Sequence, residues 1–97
     1  MDQHDSNFTF NEKESQFQLT VEGHIAFIEF SRTGDIIILP HTEVPEALEG
    51  RGIGKQLVEQ TLHYIEDHNW KVIPLCPFVK AYIQRHPEWE RIVHTRP

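Results

Sequence analysis

The chain changes its hydrophobic period once, and a glycine-rich segment, Gly50-Arg51-Gly52-Ile53-Gly54, sits at the change. Before it, apolar residues recur at every second position; after it, they recur at helical spacing. Phe17, Leu19 and Val21 alternate with Gln16, Gln18 and Thr20, as in a strand with one wet face. Ala26, Ile28 and Phe30 share one face of a second strand and Ile25, Phe27 and Glu29 the other, so that strand is expected in the middle of a sheet. Ile36 to Leu39 form a third. Short turns at Glu22-Gly23-His24 and Thr33-Gly34-Asp35 make the three an antiparallel meander. The pattern is strand-like from Phe8 onward, and residues 1–7 are polar and expected to be frayed.

Past the glycines, Ile53, Leu57, Val58, Leu62 and Ile65 fall on one helical face, and Asn69 is the expected stop. Val72 and Ile73 open a short strand running to Cys76, and Pro77 suits the first turn of a second helix. Phe78, Val79, Tyr82 and Ile83 give that helix its apolar face, and Pro87 ends it. Trp89, Ile92 and Val93 are expected to fold back on the core. The sum is an α+β fold with a mixed sheet: an antiparallel β-meander followed by a β-α-β-α unit whose two strands run parallel. Ligands of such units bind beyond the carboxyl ends of the strands. Here those ends carry His41-Thr42-Glu43 and Cys76-Pro77-Phe78.

Composition limits the partners. At 97 residues the chain makes one domain, placed at 8–97, and a core is possible without metals or disulfides. One cysteine excludes an intramolecular disulfide and a zinc-finger pattern. No apolar run reaches membrane-spanning length, and the polar start, Met1-Asp2-Gln3-His4-Asp5, is not a leader, so the expected location is cytoplasmic. Fifteen acidic against nine basic residues give a net charge of −6, which argues against nucleic acid as a partner. An anion must then be held by local geometry. The three glycines let the backbone approach a ligand and aim several N–H groups one way, at the positive end of a helix, with Arg51 and Lys55 beside them. The plainer reading is a tight turn. The segment is neither a Walker loop nor a dinucleotide fingerprint.

Pro40, inside the third strand pattern, marks a bulge or an edge just ahead of His41-Thr42-Glu43-Val44-Pro45. At this point the chain resembles the GNAT acetyltransferase superfamily. Its acetyl-coenzyme A loop reads Q/R-x-x-G-x-G/A shortly after a bulged strand, and Glu49-Gly50-Arg51-Gly52-Ile53-Gly54 falls at that place. His41 to Pro45, Gly50 to Gly54, Pro74-Leu75-Cys76-Pro77-Phe78, Tyr82-Ile83 and Arg85-His86-Pro87 resemble a group of very small members, the YjdJ-like acetyltransferase-domain proteins. The resemblance spans about Phe8 to Val93. It implies a minimal GNAT-like fold with splayed parallel strands, acetyl-coenzyme A as cofactor, and an acetyl acceptor that is an amine or a protein.

Residue by residue, the resemblance implies that Val44 and its neighbour Thr42 hold the pantetheine arm. Gly50, Arg51, Gly52, Ile53, Gly54 and Lys55 would cradle the pyrophosphate, and Pro77, Phe78 and Tyr82 would line the slot. Glu49 stands where the superfamily has Gln or Arg. Cys76 stands near its usual Asn, and Ile83, with Tyr82 beside it, near its usual Tyr.

Cys76, at a strand end and a helix start, is placed where helix N–H groups stabilise a thiolate. It is expected to be an acetyl-accepting nucleophile or an acid beside the thioester, with His41 as its base if adjacent; a small buried cysteine is the plain alternative. Glu43 alternates with His41 and is expected on the same face. Together with Glu46 and Glu49 it would draw a cationic amine, although such clusters are commonly solvated loop faces. His63 and His68 are five apart and do not make a metal pair, so no metal is expected; they and His4, His24 and His94 read as surface histidines.

The functional expectation is an acetyl-coenzyme A-binding N-acetyltransferase-like protein, with Cys76, His41 and Glu43 as its catalytic residues. The alternatives are a non-catalytic module that binds or senses acetyl-coenzyme A, and a subunit whose acceptor site comes from a partner. A monomer or weak homodimer is expected.

Overall fold

A computed structural model describes residues 6–94 of the chain. Five strands form one sheet in the order β1 (Ser6–Asn11), β2 (Gln16–Val21), β3 (His24–Thr33), β4 (Ile36–Glu43), β5 (Lys71–Pro74). The first four pair antiparallel and β4 pairs with β5 in parallel, so the sheet is mixed, as the sequence predicts. Helix α1 (Ile53–Asp67) is the crossover between β4 and β5, and α2 (Pro77–Arg85) follows β5. A 3-10 turn at Glu46–Leu48 leads into the glycines, and a 3-10 helix over Pro87–Ile92 returns the chain to β5.

The meander has four strands where the pattern suggests three. Phe8 and Phe10 belong to a separate β1, and its pairing reaches Ser6 and Asn7, opposite Val21 and Thr20, inside the segment expected to be frayed. Residues 1–5 and 95–97 lie outside the described residues. The β2–β3 hairpin closes on Glu22 and Gly23, both left-handed at φ 51° and 81°, which matches the right-handed twist of its strands.

One face of the sheet carries the core. Phe17, Leu19, Ala26, Ile28, Ile37 and Leu39 are fully or almost fully buried against Leu57, Val58, Leu62 and Ile65 of α1. Each of these side chains other than the methyl of Ala26 stabilises the fold by roughly 1.5–3 kcal/mol relative to an exposed one. Phe10 stacks between Phe30 (5.0 Å) and Tyr64 (4.8 Å), which ties β1 to α1. The 3-10 helix is pinned by Arg91, whose Nε and Nη2 donate to the Glu66 carboxylate at 2.6 and 3.0 Å, with Trp89 and Ile92 buried beneath it. Val93 then bridges Val72, and the His94 amide donates to Val72 O at 2.8 Å. No described helix is long and apolar enough to cross a membrane.

Candidate active site

The site begins with Pro40. Glu29 pairs with His41 but Ser31 pairs with Ile38, so Leu39 and Pro40 together oppose Phe30. This is the bulge the proline predicts. On its other side β4 loses β5 at the same point. The last pair is Leu39 with Pro74, and the amides of Leu75 (3.2 Å) and Cys76 (2.9 Å) both donate to Leu39 O. Beyond that pair of hydrogen bonds β4 runs on to Glu43 against β3 alone, while the chain from β5 turns away into α2. The two parallel strands therefore part at their carboxyl ends.

The glycine-rich loop lies beside this parting. Gly50 and Gly52 are left-handed, at φ 79° and 73°, and Gly52 is the residue that starts α1, with no side chain capping the helix. The first amide of α1 with an acceptor among the described residues is that of Gln56, to Gly52 O at 3.1 Å. The amides of Ile53, Gly54 and Lys55 have no acceptor among the described residues, as is usual for the first turn of a helix. A cavity of about 310 Å³ opens here, lined by Val44, Leu48, Glu49, Gly50, Gly52, Ile53, Gly54, Lys55 and Phe78. Open space above two left-handed glycines and a row of unengaged amides fit a diphosphate.

Two loop residues make contacts within the fold. Arg51 is outside that lining. Its Nη1 and Nη2 donate to the two Glu22 carboxylate oxygens at 3.0 and 2.9 Å, and the guanidinium holds the Glu22 carboxyl below its usual range. Gly54 has ordinary helical backbone, and its lack of a side chain serves packing. A Cβ there would lie 2.8 Å from the tip of the Phe78 ring. Phe78, expected on the buried face of α2, is 45% exposed at the cavity wall, while Val79, Tyr82 and Ile83 are buried.

The titratable groups divide between the two faces of the sheet. Cys76 starts α2 and is 4% exposed; its Sγ lies 3.1 Å from Thr42 Oγ1. His41 is an exposed neighbour of Glu43, with Nε2 2.8 Å from Oε2, so these two share a face as expected. The residue at the thiol is thus Thr42, not His41, and the bulge is the reason. Leu39 points into the core, and strict alternation would send residue 41 the same way. The extra residue at Leu39–Pro40 reverses the parity, so Thr42 opposes buried Ile28 and His41 opposes exposed Glu29. The sequence reading expects Thr42 at the pantetheine arm and not at the thiol; a bulge shifts parity by one, and that rule is the signal that finds the contact.

Tyr82 stands apart from this group. Burial raises its hydroxyl above the ordinary range, the charges of Glu59 and Glu88 raise it further, and a hydrogen bond from the Trp89 indole partly offsets both. It lines the groove between α1 and α2, in ring contact with His86 at 4.3 Å. Pro77 is the exposed first residue of α2. No group of three or more His, Cys, Asp or Glu that could hold a metal ion occurs among the described residues.

Residues 16–92 match the family described as GCN5-related N-acetyl-transferase. The chain is 34% identical to Protein NATD1 of Gallus gallus over 62 residues, 64% of this chain and 56% of that protein. It is 36% identical to the Homo sapiens protein over 62 residues, 64% and 55% of the two chains. With that of Danio rerio it shares 30% over 90 residues, 87% and 82% of the two chains. The chain thus spans little more than half the length of the bird and human relatives. In fold it is similar to a GCN5-like protein from Staphylococcus aureus solved by NMR, with a TM-score of 0.72 and 21% identity over 97% of this chain and 93% of that one. The family match covers the bulged strand, the glycine-rich loop and the parted strands alike: the chain belongs to the GCN5-related N-acetyltransferase family.

Proposed function

We propose that this protein binds acetyl-coenzyme A in the parting between β4 and β5 and transfers the acetyl group to an amine. The observation that carries the reading is the row of amides at Ile53, Gly54 and Lys55, which have no acceptor among the described residues and belong to residues lining the cavity beside that parting. When bound, acetyl-coenzyme A supplies the thioester carbonyl. The loop amides from Gly52 to Lys55 hold the diphosphate, and the free edge of β4 near Val44 pairs with the pantetheine arm. His41 donates from Nε2 to Glu43, which leaves Nδ1 as the basic nitrogen to take the proton of an approaching amine. Cys76, oriented by Thr42, holds a proton for the departing sulfur or carries the acetyl group on its own Sγ before the amine takes it. We assign the chain to the small YjdJ-like group on the sequence stretches from His41 to Pro87 and place it in a reducing, cytosolic compartment.

A second reading is a module that binds acetyl-coenzyme A without turnover. The burial of Cys76 and the position of Tyr82, in the α1–α2 groove and not at the parting, favour it.

Incubation with acetyl-coenzyme A followed by intact mass measurement separates the two. A gain of one acetyl group, lost in Cys76→Ala, supports the thiol route. Steady release of free thiol with a polyamine and no adduct supports direct transfer. Neither result, with a raised melting temperature retained, leaves the binding module. No change in melting overturns both readings.

A further inference from the structure

A second cavity, of about 280 Å³, opens on the other side of Phe78, lined by Lys55, Phe78, Ala81, Tyr82, Arg85 and His86. Lys55 and Phe78 belong to both linings, so the two spaces are neighbours along one groove. The lining holds a lysine, an arginine and a histidine and no carboxylate, in a chain with six more acids than bases. Arg85 is in the last turn of α2, whose negative end favours a cation. Neither Lys55 nor Arg85 makes a side-chain hydrogen bond or ion pair among the described residues, so both charges are available to a ligand. The favourable ground is bounded. Past Tyr82 and His86 the groove meets Glu59 and Glu88.

We infer that this cavity is a second anion subsite that takes a phosphomonoester carried by the same ligand whose diphosphate lies at the glycine loop. On coenzyme A that group is the 3′-phosphate of the ribose. The inference rests on the reading of the loop as the cofactor site. It adds a selectivity: Arg85 and Lys55 form charge-assisted hydrogen bonds with the phosphate oxygens. The two carboxylates beyond repel the anion and fix where it stops. The exposed Phe78 ring, between the two spaces, separates diphosphate from phosphomonoester.

The test is calorimetric titration of the full chain with coenzyme A and with 3′-dephospho-coenzyme A. The wild type should bind coenzyme A about tenfold more tightly, as expected for two or three partly solvated charge contacts. In Arg85→Gln most of that difference should vanish while the affinity for the dephospho form stays the same, and Arg85→Lys should restore much of it. Arg85 is exposed, so the fold should tolerate both changes. Equal affinities in the wild type overturn the subsite and leave the loop reading standing. Absence of binding by either nucleotide overturns both. A preference that survives unchanged in Arg85→Gln also overturns the assignment.

Discussion

Gly52 and Gly54 are two residues apart in one loop, yet alanine should affect them differently. At Gly54 the new Cβ meets Phe78 Cζ at 2.8 Å, Cε2 at 3.1 Å and Val44 Cγ2 at 3.4 Å. The first two atoms are the free end of a ring already 45% exposed, so the ring swings outward. A fully buried Phe is worth roughly 1.5–3 kcal/mol, and moving this half-exposed one costs about 1 kcal/mol. Alanine returns up to about 1 kcal/mol of helix propensity, less in a first turn. Gly54→Ala should therefore stay within about 1 kcal/mol of wild type. Gly52 has open space around it but a φ of 73°, and an L side chain in that region costs roughly 1–2 kcal/mol. Urea unfolding followed by tryptophan fluorescence, through Trp70 and Trp89, measures both. A loss above about 2 kcal/mol for Gly54→Ala, or none for Gly52→Ala, would refute the assignment of one glycine to packing and the other to backbone conformation. Under the proposed function, Gly54→Ala also weakens coenzyme A binding, because the added methyl and the displaced ring intrude on the cavity.

Two more outcomes follow from the ion pairs. Glu22→Gln loosens the hold on Arg51 and should tighten coenzyme A binding in calorimetry; unchanged or weaker binding means that Arg51 does not reach the ligand. The Glu66 carboxyl is held below the usual carboxylate range, chiefly by its hydrogen bond from Arg91. A depressed folded value means stability that is complete above the usual range and is lost as acid titrates through the lower folded value. Melting temperature followed from pH 6 to about pH 3 should fall less steeply in Glu66→Gln than in the wild type. Equal slopes would mean that the pair with Arg91 does not persist in solution.

Most of the architecture was readable because burial follows period. Leu57, Val58, Leu62 and Ile65 line up as a helical face, and that face is the buried one. β1 escaped as a separate strand because its turn carries no glycine or proline. Ser15 takes the left-handed conformation at φ 58°, and Asn11 Oδ1 accepts from the Glu14 amide in its place. Within the site, the loop and the Pro40 bulge were legible from residue type. The partner of Cys76 was not, because period-2 counting assumes that no residue is added, and the bulge adds one. The Arg51–Glu22 pair spans 29 positions, and no local pattern reports such a meeting.

The bulge at Leu39–Pro40 also governs how β4 tolerates change. Loss of one of the two residues flattens the strand and leaves His41 opposite Glu29 and Thr42 opposite Ile28, because one residue still faces Phe30. Flattening at constant length is different: the far end of β4 slips by one step, and His41 comes opposite Ile28 in place of Thr42. Pro40, with no amide to give a regular ladder, stands against that slip, so a ring that cannot donate keeps imidazole and hydroxyl on their own sides.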